Sequence, residues 1–262
     1  MKKAADELAH LIIYPSHKLS ITHKVQITKL RPIDVDILNM TDVILHQGAK
    51  KHGAFSWQIS PVESDSTVEN NLSAILRHLT MIQQGRYIDD DDYPHVFHLA
   101  CRACMLVTVN LRHFGGHLNG YVSSDQANYT SCKDVPFKHY LAPEMILMFG
   151  AKQEYEAEND AASKETNSDK LGLMLVGEIY DYISHPHLDA HEIPYLFNRD
   201  KKASSIDLLF FHIVDFIHRH TIEKRGAYSR MVFGSSVFSD TQCQVQQILN
   251  LKSPLGIDSR LL

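Results

Sequence analysis

The chain has little cysteine, a single tryptophan, no excess of positive charge and no long apolar run, and each shortage removes a class of protein. Four cysteines in 262 residues are too few to staple a chain of this length, so a disulfide scaffold is excluded and a reducing compartment is expected. No apolar stretch approaches the roughly 18–20 residues that a membrane-spanning helix needs, and the N-terminus lacks the apolar core of a signal peptide. A cytoplasmic protein with no membrane partner is therefore expected. With 26 basic against 31 acidic residues the formal net charge is −5, which leaves no basic footprint for binding duplex nucleic acid. A small anionic substrate would have to be met by a local positive site or a metal.

What remains is an ordinary core, 44% hydrophobic with 22% charged residues, enough for one large or two small domains. Leu19, Ile21, Val25 and Ile27 alternate with Ser20, Thr22, Lys24 and Gln26, which predicts a short extended strand over residues 19–30. Helical spacing takes over afterwards. Apolar residues recur at turn intervals over 34–48, 68–84 and 94–112, with Gly48 and Gly85 as stops and Pro94 as a start. Further helices are predicted over 170–183 and 205–224, the latter capped by Ser204 or Ser205. The fold class is thus mainly α: a helical bundle in residues 1–132 and a helical extension of unknown role in 133–262. Residues 151–169 are charged and poor in apolar side chains, and read as a linker or a solvated helix end.

The chemistry concentrates between Leu72 and Val107. His95 and His98, three residues apart, share one helical face, and His78 falls inside the apolar stripe of the preceding helix, where an unpaired imidazole is costly. Between them lies Asp89-Asp90-Asp91-Asp92, four adjacent carboxylates whose mutual repulsion a bound cation would relieve. Asp residues at a helix start are also stabilised by the helix dipole, so a plain capping loop is the alternative. Oxygen and imidazole donors together suit Mg²⁺ or Mn²⁺, with Zn²⁺ or Co²⁺ as alternatives. Other patterns carry less. Cys101 and Cys104 have CxxC spacing without a second pair and read as core residues. Asp42 and His46 form an i, i+4 pair on the first helix, read as a surface pair or extra metal ligands. Asp207, His212, Asp215, His218 and Arg219 gather on the last helix, where a second metal site is weighed against an ordinary i, i+4 ion pair of Asp215 and Arg219.

Leu30-Arg31-Pro32, Val43, Gly48-Ala49-Lys50-Lys51-His52-Gly53, Trp57, Leu76-Arg77-His78-Leu79, Gly85, the acidic run and Pro94-His95-Val96-Phe97-His98 follow one another in an order that resembles a known family. They look like the N-terminal domain of phage-associated dATP/dGTP diphosphohydrolases, relatives of the MazG-like all-α nucleotide pyrophosphohydrolases. The resemblance covers residues 25 to 112, and departs from the usual pattern at His52, Ser56, Gln58, Arg86 and Arg102.

The resemblance implies metal-dependent cleavage of a purine (deoxy)nucleoside triphosphate to the monophosphate and pyrophosphate, in the host cytoplasm if the protein is phage-encoded. It implies His78, Asp92, His95 and His98 as catalytic residues, and His78, Asp89, Asp92, His95 and His98 as metal ligands. Lys50, Lys51 and Arg77 would meet the triphosphate. Trp57 would stack on the base or fill the core. A homo-oligomer is expected. Two other readings stand beside it: an inactive nucleotide-binding or interaction protein of the same fold, and a HEPN-type ribonuclease using Arg112 and His117, which have the Arg-x4-His spacing of that group.

Overall fold

The computed structural model describes residues 30–53, 57, 67–114, 141–159, 167–185, 194–196, 198–224 and 227–228. Six helices occur among them, with no strand: α1 (Pro32–His52), α2 (Val68–Gln83), α3 (His95–Phe114), α4 (Pro143–Asn159), α5 (Ser168–Ser184) and α6 (Ser205–Glu223). The bundle is all-α, as the periodicity predicts. The extended strand expected over 19–30 lies almost wholly outside the described residues, as does the expected domain boundary at 132/133.

The helix starts are written in the sequence. Thr67 and Asn167 accept hydrogen bonds from the backbone N–H groups of Asn70 (3.1 Å) and Lys170 (2.9 Å). Ser204 and Asp207 cap α6 reciprocally in a capping box, two orphan donors satisfied at once. Gly85, at φ 77°, ends the turn after α2 in a conformation that L side chains rarely adopt.

α3 is the central helix. Leu99, Ala103 and Leu106 have no exposed surface, and α3 packs against α1, α2, α4 and α6, which accounts for its being apolar on nearly every side. α5 lies behind α2 and α6. It crosses them at Gly172, where a Cβ would come 1.9 Å from Gln83 Nε2 and 2.9 Å from the Phe216 ring. Buried residues from Ile37 to Tyr228 form one cluster.

Of the charged stretch 151–169, residues 160–166 lie outside the described residues, and 151–159 are helical with an exposed end. Residues 151–159 are the second half of α4, and Lys152 within them is fully buried. Lys152 Nζ donates to Asp215 Oδ1 at 2.7 Å and to Glu156. Arg31 forks onto Asp34 (2.8 and 3.1 Å) and reaches Glu156 (3.0 Å), while Gln153 donates to Asp34 (2.7 Å). Lys152, Gln153 and Glu156 face inward and tie α1, α4 and α6 together, whereas Ala157, Glu158 and Asn159 are exposed at the end of α4.

Candidate metal centre

Three imidazoles and two carboxylates meet where α2 and α3 pack. His78 comes from the buried face of α2, and His95 and His98 from the first turn of α3. The connection between the helices is short and internally bonded. Ile88 and Pro94 form an isolated antiparallel bridge, the Asp89 N–H donates to the Tyr93 carbonyl (2.8 Å), and the His95 N–H donates to that of Tyr87 (2.9 Å). This backbone closure folds Asp89 and Asp91 back over the start of α3.

Asp89 Oδ2 is the hub. It lies 3.8 Å from His78 Nδ1, 3.7 Å from His95 Nδ1 and 3.7 Å from His98 Nε2. The two Nδ1 atoms of His78 and His95 are 3.0 Å apart, and His98 Nε2 is 3.1 Å from Asp91 Oδ1. The His78 and His98 rings stack, 4.9 Å between centroids and 9° from parallel. Two overlapping ligand sets result, His78–Asp89–His95 and Asp89–Asp91–His98, each with its donor atoms within 4.8 Å of one another. Ligand atoms held about 2.1 Å from one ion are roughly 3.0 Å apart at a right angle and 3.4 Å apart at the tetrahedral angle. The observed separations need to close by only a few tenths of an ångström, so the residues fit a divalent cation.

The electrostatics agree. Burial pushes the His78 pKa down to about 3, helped by His98 and Arg77, and burial also lowers that of His95 against the pull of Asp89. Neutral imidazoles are the form that binds metal. Burial alone would raise the Asp89 carboxyl, but the Asp90 N–H, 2.9 Å from Oδ1, and the three imidazoles outweigh it and hold it below its ordinary value. A carboxylate held in its charged form thus lies among three imidazoles, of which burial disfavours the protonated form of His78 and His95, an arrangement suited to a cation.

Residues 19–117 match the family model of the dATP/dGTP diphosphohydrolase N-terminal domain. No curated protein and no solved structure matches the chain. The matched segment contains α1, α2, α3 and every residue of the cluster, and the resemblance read from the motifs points to the same family.

Not every expected site residue falls in the cluster. Asp92, proposed as ligand and catalytic group, is exposed, sits at φ 66° and gives its N–H to the Asp89 carbonyl (3.0 Å). The loop needs a left-handed residue there to turn back, and this leaves Asp91 as the second carboxylate of the cluster. Only the alternation of directions along the tight turn could have told the two apart. Arg77 is exposed on the rim and donates to His78 Nε2 at 3.1 Å, and Lys51 Nζ lies 4.0 Å from Asp91 Oδ2. Lys50 is exposed at the end of α1. Trp57 is half-buried against the core, and its buried indole N–H has no hydrogen-bond partner, which favours packing over base stacking.

Asp42, read as part of a surface pair, is instead buried within the bundle, and neither it nor His46 joins the ligand sets. The second cluster weighed on the last helix is dispersed among other tasks: Asp207 caps α6, Asp215 pairs with Lys152, and His212 bonds Glu178 at 3.2 Å. Cys101 and Cys104 are buried, and burial pushes both thiols up to about 12, which makes them inert core residues.

The sequence also hid two supports for the loop. Gln47 on α1 donates to the Tyr93 hydroxyl (2.7 Å). Tyr87 rests its ring on His220 and Tyr228, 5.7 and 5.9 Å away, and those two share a 2.7 Å hydrogen bond. The end of α6 thereby props the residue from which the acidic loop departs.

Proposed function

We propose that the protein is a metal-dependent nucleotide pyrophosphohydrolase. It adds water to a purine (deoxy)nucleoside triphosphate and releases the monophosphate and pyrophosphate. The observation that carries this reading is the convergence of His78, His95 and His98 on Asp89 Oδ2, inside the segment that matches the dATP/dGTP diphosphohydrolase family. A divalent cation bound there would supply Lewis-acid polarisation of phosphoryl oxygens and a water of lowered pKa. His78, His95, Asp89 and Asp91 would hold it.

His98 has a further role. It is the most open of the three imidazoles and stands 3.1 Å from Asp91, the arrangement of a general base oriented by a carboxylate. It would take the proton of the attacking water. Arg77 and Lys51, on the rim, would meet negative charge on the triphosphate and on the departing pyrophosphate, Arg77 through its planar fork.

The test is direct. Purified protein is incubated with each nucleoside and deoxynucleoside triphosphate in Mn²⁺ or Mg²⁺, and with RNA, and the products are separated. Monophosphate and pyrophosphate from a purine triphosphate, only with a divalent ion, is the expected result. Nucleotide binding without turnover would favour the inactive reading. Cleavage of RNA alone would favour the ribonuclease reading, against which stands the sequestration of Arg112, forked onto Glu144 at 2.8 and 3.2 Å inside the bundle. His117 lies outside the described residues.

A further inference from the structure

The outer face of α5 is apolar and bare. Leu173 (65% exposed), Met174 (57%) and Tyr180 (64%) stand on it, and Gly177 at its centre has open space where a Cβ would be. At about 100° per residue these positions lie within roughly 60° of Gly177 around the helix, while the opposite stripe of Gly172, Leu175 and Ile179 is buried. Ile222, on the last turn of α6, is likewise 62% exposed. α6 runs antiparallel beside α5 there, with the Ser168 N–H donating to Glu223 at 3.2 Å and Lys224 lying 3.9 Å from Asp169. Large apolar side chains crowded in this way on one face mark an interaction surface.

The patch is its own complement. A two-fold axis between the helices at Gly177, normal to both, sets two copies of α5 antiparallel and brings Leu173 of one opposite Tyr180 of the other. Lys170 then falls within one helical turn of Asp181 of the second copy. Lys170 and Asp181 are exposed at opposite ends of the patch, and neither side chain has an ion-pair partner among the described residues. The axis converts one unpaired cation and one unpaired carboxylate per copy into two charge pairs between copies. The missing Cβ at Gly177 lets the two backbones approach at the axis. We infer that α5 forms the interface of a symmetric homodimer, packed antiparallel on α5 of the second copy about Gly177. This does not depend on the hydrolase reading.

Sedimentation equilibrium of the full chain tests it. The wild-type protein is expected to be dimeric, and Leu173→Glu combined with Tyr180→Glu should raise the dissociation constant at least about thirtyfold, the loss of one hot spot, with the circular dichroism spectrum unchanged. Gly177→Cys, placed on the axis, should give a covalent dimer on mild oxidation where the wild type gives none. A wild-type monomer at all concentrations overturns the inference and leaves the face to another partner. A dimer that survives the double substitution, or one that Gly177→Cys fails to cross-link, overturns it equally.

Discussion

Arg77 and His78 share a hydrogen bond that fixes where the His78 proton sits. Arg77 Nη2 lies 3.1 Å from His78 Nε2, and a guanidinium can only donate, so Nε2 accepts. The neutral ring must then carry its proton on Nδ1, which donates it to His95 Nδ1 at 3.0 Å. Yet Nδ1 is the His78 atom that faces Asp89. A cation ligated through Nδ1 obliges the proton to move to Nε2, where it opposes the Arg77 N–H. Metal binding and the Arg77–His78 bond exclude each other, and a bound cation would free Arg77 at the rim for phosphate.

Arg77→Met should therefore tighten divalent binding in the absence of nucleotide, by about tenfold if the bond lost is an ordinary one to a charged donor. The same change should raise KM for the triphosphate. Calorimetric titration with Mn²⁺ and steady-state kinetics read the two effects separately. Metal binding weaker than wild type would show that Arg77 supports the site instead of competing with it.

The acidic run gives a sharper comparison. A ligand that binds only the folded state stabilises it by RT ln(1 + [L]/Kd), about 2.7 kcal/mol at a hundredfold excess over Kd, so divalent ions should raise the melting temperature and monovalent salt at equal ionic strength should not. Asp89→Asn, common to both ligand sets, should abolish that rise. Asp91→Asn should reduce it. Asp92→Asn should leave it intact, and a loss there would restore Asp92 as a ligand.

His95→Ala and His98→Ala should each abolish metal-dependent hydrolysis. Their stability costs should differ. His98 is partly open, and its loss should change folding little, whereas His95→Ala strands the buried Nδ1–H of His78 at a cost of about 1–3 kcal/mol. Urea unfolding measures this, and an unchanged turnover number in either variant would make that histidine structural.

The bundle and the cluster were legible because both rest on short-range pattern. Periodicity locates α1, α2 and α3, and His78 is conspicuous as an imidazole on an apolar stripe. Three residues separate His95 from His98, so helical geometry alone puts them on one face. The choice between Asp91 and Asp92 depends on one positive φ in a turn. Lys152 was misleading because one of its two partners, Asp215, comes from α6, 63 residues away. The same distance hid the propping of Tyr87 by His220 and Tyr228. The apolar spacing of Met145, Met148 and Phe149, all fully buried, was present as a signal for α4 but ran straight into the charged stretch that masked it.

Acid should unfold the protein through its buried histidines. His78 and His220 have folded-state pKa values pushed by burial to about 3 and about 4, and that of His95 is lowered as well. In the unfolded chain they protonate near pH 6.5. The unfolded state thus binds more protons between those limits, and stability, complete above about pH 6.5, falls as pH drops towards 3, by up to about 1.4 kcal/mol per pH unit for each group. Denaturant melts from pH 7.5 to 4.5 should show this slope. His220→Phe should flatten it, and a slope unchanged in that variant would assign the proton uptake elsewhere.

Lys152 offers a test of the bundle that leaves the chemistry alone. Its ammonium has no exposed surface and sits between Glu156 and Asp215. Lys152→Met keeps the aliphatic bulk but leaves those carboxylates facing each other, with only Arg31 still reaching Glu156. Breaking one partner of a buried ion pair costs about 3–5 kcal/mol, whereas replacing the pair by neutral groups of similar volume costs far less. The single variant should therefore lose about that much stability in urea, and adding Asp215→Asn should recover roughly 0.5–3 kcal/mol of it as coupling between contacting groups. Metal affinity per folded molecule should stay at the wild-type value in both, because no atom of this network touches the Asp89 cluster. Additive losses in the double variant would show that Lys152 acts through packing of its carbon chain and not through its charge.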